Sequence, residues 1–172
     1  MANSYTFQTI KDTTEHVVIK LTGSFDSSTQ EANGVRIQAN TLYGALNANA
    51  TPGLLSSGGS ALPYYGLSVY RVWYDCSTTG DVQMYWNANT PVTMAFLNGN
   101  GEYDGAGNWV TLPNNAAGTA GCKGDIGVVT RGMVANDSYT IIVELRKDNA
   151  HYQRGQFNDP AAFNYNSYGV RP

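Results

Sequence analysis

The sequence predicts an all-β fold, an antiparallel, jelly-roll-like β-sandwich of about eight or nine strands with a long neutral loop and an extended C-terminal arm. Three observations predict it. Apolar side chains recur with period two along most of the chain, which sends alternate residues to opposite faces of a strand. Clusters of Gly, Asn, Asp and Thr separate these runs, and Gly and Asn tolerate the positive φ that tight connections need. Only 28–33 and 42–48 have any helical character, and both segments are short.

Strands are expected at 4–11, 15–22, 34–42, 67–75, 81–87, 91–98, 108–113, 125–133 and 138–147. In the first, Tyr5 and Phe7 alternate with Thr6 and Gln8; in the second, Val17, Ile19 and Leu21 alternate with Val18, Lys20 and Thr22. In the fourth, Leu67, Val69, Arg71 and Trp73 share a face, which leaves Trp73 open to core or surface. Val82, Met84 and Trp86 make one apolar face and Val92, Met94 and Phe96 another. The last strand sets Tyr139, Ile141, Val143 and Leu145 against Thr140, Ile142, Glu144 and Arg146. Turns are expected at 12–14, 78–80, 87–90, 98–101 and 135–137, and no internal repeat is present. Two segments break the pattern. Residues 43–66 form a connection too long for an ordinary loop, and such connections are often functional. Residues 148–172 are rich in aromatics, Gly, Asn and Pro but poor in β-branched residues. The chain therefore divides into a sandwich domain, 1–147, and an arm, 148–172, which could span about 80 Å fully extended.

Charge is the most informative feature of the composition. Of 172 residues only 13% are charged, with a net charge of −3, and 42% are hydrophobic. That balance excludes a disordered chain. It also argues against a nucleic-acid binder, which needs clustered Lys and Arg. No charged residue occurs in 37–70, 82–101 or 105–122, so 72 of the 172 residues lie in charge-free runs. Interface cores are depleted of charge and enriched in Tyr, Trp, Phe, Met and Arg. This chain has twelve Tyr, and six of its ten basic residues are Arg. The expectation is that much of the surface is buried against other chains, in contrast to neutral loops that simply solvate.

The arm residues Tyr152, Phe157, Phe163, Tyr165 and Tyr168 are the expected anchors, with Leu54, Leu55, Tyr64 and Tyr65 of the loop beside them. Each fully buried anchor would contribute about 1.5–3 kcal/mol. An arm on a neighbouring subunit is the leading reading of 148–172; packing on its own domain and a mobile terminus are the alternatives. No basic and apolar leader and no span of about 18 apolar residues is present, so a protein made in the cytoplasm is expected, with no membrane partner. Cys76 and Cys122 are then expected to be free thiols, and the sequons at Asn49 and Asn136 to be accidents of composition.

Catalytic patterns are sparse. His16 and His151 have no ligand-type residue at metal-binding spacing, so no metal site is expected. Gly58-Gly59-Ser60 lacks the Lys-Ser/Thr of a phosphate loop, and no nucleophile elbow occurs. Asn98, Asn100, Glu102 and Asp104 offer oxygens like a calcium loop, but the spacing favours a hairpin turn. Asp75, Asp81, Glu102 and Asp104 contain the carboxylates for a glycosidase pair only if the fold brings two together. Trp86 is expected in the core and Trp109, next to Gly107-Asn108, is the candidate platform for a sugar ring.

The start Met-Ala-Asn-Ser-Tyr-Thr-Phe with its alternating strand, the Asn/Gly/Tyr-rich body of low charge and the aromatic tail resemble small virion structural proteins of tailed bacteriophages, of the T4-like type found on marine cyanobacteria. The resemblance implies a non-enzymatic virion protein in many copies, on a head as decoration or else at a neck or tail. It implies no cofactor, and as partners other virion proteins and copies of the chain itself, in a homo-oligomer or symmetric assembly. The alternative is a carbohydrate- or receptor-binding sandwich.

Overall fold

The computed structural model describes residues 3–32, 34–45, 65–105, 112–117, 119–148 and 152. Among them nine strands form: β1 (Ser4–Asp12), β2 (His16–Ser24), β3 (Gly34–Ile37), β4 (Leu67–Cys76), β5 (Asp81–Trp86), β6 (Val92–Leu97), β7 (Asn100–Asp104), β8 (Ile126–Arg131) and β9 (Ser138–Lys147). They build two sheets, one in the order β1-β2-β9-β4-β7 and one in the order β3-β8-β5-β6. Every pairing is antiparallel.

The winding is that of a jelly roll. β2 pairs with β9, β3 with β8, β4 with β7 and β5 with β6. The chain from β2 to β9 is thus one antiparallel ribbon, rolled so that successive strand pairs fall in alternate sheets. β1 is an additional strand on the free edge of β2. Rolling the ribbon sorts the connections into two poles. At one pole lie 25–33, 77–80, 98–99 and 132–137, and the short turns 13–15 and 87–91 lie at the other. The long connections, 38–66 and 105–125, leave from this second pole, where the chain also continues beyond β9.

The core lies between the sheets. Val17, Ile19, Leu21, Ile141, Val143 and Leu145 face Val82, Met84, Trp86, Ile126 and Val128, all essentially without solvent contact. Those are the apolar halves of the sequence alternation, so the expected faces of β2, β5 and β9 hold. Cys76 and Cys122 are buried, unpaired thiols. Burial, with Asp75 adjacent, pushes the Cys76 thiol up to about 12, which leaves it inert at neutral pH.

Several expectations are corrected. The third strand ends at Ile37 rather than 42; a single 3₁₀ turn, Ala39–Thr41, follows and buries Ala39. Residues 28–32 are irregular rather than helical, as are 42–45. The segment read as a turn or calcium-type loop, 98–105, holds β7, whose edge pairing with β4 needs no apolar alternation of its own. Of the expected strand 108–113, residues 108–111 lie outside the described residues, and Leu112 makes an isolated antiparallel bridge with Val69.

Four register shifts explain where the period-two reading fails. A β-bulge adds one residue and inverts the faces beyond it. The shift at Met94 splits the expected Val92/Met94/Phe96 face: Leu97 enters the core and Phe96 is left 56% exposed. The shift at Tyr70 keeps Val69 and Val72 both inside and turns Arg71 and Trp73 outward. A third, at Arg36, carries Ile37 into the core although Val35 is only partly buried. The fourth, at Ile10, turns Asp12 inward, because Asp12 lies opposite the core residue Val17.

Candidate functional site

The long-connection pole is organised by Lys147, whose side chain is fully buried. It faces inward because it continues the Ile141, Val143, Leu145 face of β9. Its ammonium pairs with Asp12, which the Ile10 bulge has turned inward, and donates to the carbonyls of Thr13 and Tyr43 at 2.7 Å each. Three acceptors match the three protons of an ammonium. The rings of Tyr152 and Tyr43 lie 5.2 and 6.0 Å from the nitrogen. Burial still pulls the Lys147 pKa below its ordinary value, against the opposing pull of Asp12.

Two sequence-predicted anchors meet here. Tyr65, from the long loop, and Tyr152, from the arm, have ring centroids 5.6 Å apart. Both were expected to reach a neighbouring subunit; instead they are 2% and 1% exposed, inside the chain's own core. The Tyr152 hydroxyl donates to the Ala39 carbonyl at 2.9 Å, and Tyr152 bridges Ala45. The Tyr65 amide donates to the Lys123 carbonyl at 3.0 Å, an approach allowed because Gly124, at φ +87, has no Cβ to strike the Tyr65 backbone. Tyr152, the one described residue beyond Asp148, is therefore packed on the sandwich. Leu54, Leu55, Tyr64, Phe157, Phe163, Tyr165, Tyr168 and Trp109 lie outside the described residues.

The opposite pole carries a second buried charge. Glu31 is buried; Arg36 donates to it and the Tyr139 hydroxyl donates to its Oε2 at 2.6 Å. Its backbone is held by Thr130. Burial and the Glu31 contact raise the Tyr139 pKa well above the usual tyrosine range. A cleft of about 370 Å³ opens beside this group, lined by Asn3, Tyr5, Gln30 and Arg36 among others.

The two outer faces of the sandwich differ in charge. Register and alternation place Lys11, Lys20, Arg71, Asp75, Glu102, Asp104, Glu144 and Arg146 on the outer face of the five-stranded sheet. Many are paired across strands: Arg71 with Asp104 at 2.9 Å, and His16 with Glu144 at 3.1 Å. Trp73 sits among them, half-buried, with Arg71 6.0 Å from its ring. On the outer side of the four-stranded sheet lie Val35, Thr93, Phe96 and Val129, the buried Gln83 and Tyr85, and at one end Arg131 and Asp81. Gln83 donates to Thr93 and accepts from Arg131 at 2.7 Å, and Arg131 lies 5.6 Å from the Phe96 ring. The uncharged run 82–101 is thus the β5–β6 hairpin.

Asp81 is on the opposite sheet from Asp75, Glu102 and Asp104, so the expected pairing of these carboxylates is confined to one exposed face. Among the described residues no three His, Cys, Asp or Glu side chains converge as metal ligands. Comparison with protein-family models, with curated proteins and with solved structures gives no match, so the functional reading rests on this geometry.

Proposed function

We propose that this chain is a non-enzymatic structural subunit of a phage particle, a jelly-roll protein that docks on its head, neck or tail through the less charged of its two outer faces. The observation that carries this reading is the unequal charge of the two outer faces. Desolvating a charge is expensive, so a face that must lose its water is built without charges. A face that stays wet carries interspersed charges of both signs. The face bearing Thr93, Phe96 and Val129, with Arg131 and Asp81 at one end, comes nearer the first description, and the face bearing Lys20, Arg71, Glu102 and Glu144 fits the second. The jelly roll hosts capsid and lectin domains alike, so the fold by itself does not choose between them.

The test is immunogold labelling of purified particles with antibody against this chain, combined with Phe96→Glu. Dense label on heads, or at the neck or tail, is expected with the wild type, and its loss with Phe96→Glu at unchanged melting temperature. Protein left free in the lysate, with none on particles, overturns the reading. A carbohydrate-binding role has one specific support, the half-buried Trp73 beside Arg71 and Glu102. Glycan-array binding lost on Trp73→Ala would establish it instead.

A further inference from the structure

We infer that β1 is a self-pairing edge, through which two copies of this chain join as an antiparallel dimer about Phe7. This names a partner for the assembly reading, and is tested without any particle.

β1 is the outermost strand of its sheet and pairs, among the described residues, only with β2. Alternate N–H and C=O groups therefore point to the open side, a template for another strand. Proteins usually blunt such an edge with charge, proline, a bulge or short length. The other described edges do so: β3 has four residues and a register shift, β6 has its shift at Met94, and β7 carries Glu102 and Asp104. In β1 the stretch 4–9 has no charge, no proline and no bulge.

The inner side of β1 is also unfinished. Phe7 lies opposite the core residue Leu21, so its ring points to the core side, yet it is 46% exposed. Five strands lie over four, and β3 stops at Ile37. Tyr5 is covered by Phe25 and Arg36, but the strand beyond it is not. Ile10, in the bulge, is 53% exposed.

An antiparallel pair centred on Phe7 is self-complementary. Phe7 meets Phe7 of the second copy, Tyr5 meets Thr9, and on the outer side Thr6 meets Gln8. Aromatic faces aromatic or β-branched, polar faces polar, and no like charges oppose. The two sheets fuse into one, the edge is satisfied, and each Phe7 ring closes the notch left by the short β3. A two-fold contact of this kind closes on itself and makes a dimer rather than a fibre.

The experiment is sedimentation velocity on the full chain over a concentration series, with Phe7→Lys and Phe7→Cys variants. A dimer whose melting temperature rises with concentration is expected for the wild type, and for Phe7→Lys a folded monomer whose melting temperature does not depend on concentration. Opposed Cα atoms in such a pair lie about 4.5–5.5 Å apart, within the range of about 4.4–6.8 Å that a disulfide bridges. Phe7→Cys should therefore oxidise to a covalent dimer, whereas Lys20→Cys, on the outer face of β2, should not. A wild-type chain that stays monomeric overturns the inference, as does an oligomer that Phe7→Lys leaves intact and Phe7→Cys does not cross-link. Neither result touches the particle-labelling test of the assembly reading.

Discussion

Lys147 and Glu31 show how a chain with few charges uses two of them inside. Each is paired and hydrogen-bonded at one pole of the sandwich, and removing either partner strands the other in a dry site. Lys147→Ala is expected to cost about 3–5 kcal/mol of stability, read from the urea midpoint. The double variant Asp12→Ala/Lys147→Met should cost less than the sum of its singles, because it removes both charges and restores apolar bulk. Glu31→Ala should cost about 3 kcal/mol, and Glu31→Gln markedly less, since the amide oxygen still accepts from Tyr139 or Arg36. Equal losses for the two substitutions would show that shape, not charge pairing, governs this site.

Among the elements, the bulges and glycines decide which residues face which way. Gly127 is required because a Cβ there would sit 2.1 Å from the Tyr85 ring, which lies across it on the outer face of the four-stranded sheet. Gly127→Ala should destabilise by about 1–3 kcal/mol, measured by thermal unfolding, with Tyr85→Ala largely relieving the clash. Beyond Asp148, Tyr152 is the one described residue of the arm, and it is buried in the core. Truncation of 153–172 is expected to cost less stability than truncation of 148–172, because Tyr152 keeps its place over Lys147 and Ala39. Truncation of 148–172 removes that ring from the core and should cost about 3–5 kcal/mol, the range for deleting a buried aromatic. Equal stabilities of the two truncated forms would refute the packing of Tyr152.

For the whole molecule, alkaline pH is the revealing condition. Tyr65, Tyr85, Tyr139 and Tyr152 all have their pKa raised, chiefly by burial. Below the ordinary tyrosine value of 10.0 both folded and unfolded chains keep these protons. Above it the unfolded chain releases them and the folded chain holds them, so stability falls as pH rises. Lys147 works the other way: its lowered pKa means that the folded chain gives up that proton first, and its contribution grows with pH up to 10.5. Four tyrosines outweigh one lysine. The denaturation midpoint should therefore drop between neutral pH and about pH 11, with the share of tyrosinate absorbance that belongs to these four rings appearing together with unfolding rather than before it. Tyrosinate forming fully in the folded chain would contradict the burial of these rings.

The class of fold and the strands β1, β2, β4, β5, β6, β8 and β9 were legible in the sequence, because period-two patterning and turn residues are local properties of the backbone. The charge-free runs were legible too, as composition. What the tertiary structure alone decided was the facing of residues beyond each bulge. One inserted residue at Ile10, Tyr70 or Met94 inverts a strand, and such insertions are set by pairing with a neighbour far along the chain. β7 escaped notice for the same reason: Asn100, Glu102 and Asp104 form a strand only because β4 offers an edge. Tyr65 and Tyr152 looked like anchors for another chain, since aromaticity in a sequence says that a ring will be buried but not by which surface. Their burial at Lys147 follows from the rolling of the ribbon. It brings the loop after β3, the hairpin after β1 and the chain beyond β9 to a single pole, where the one inward-facing lysine needs partners and cover.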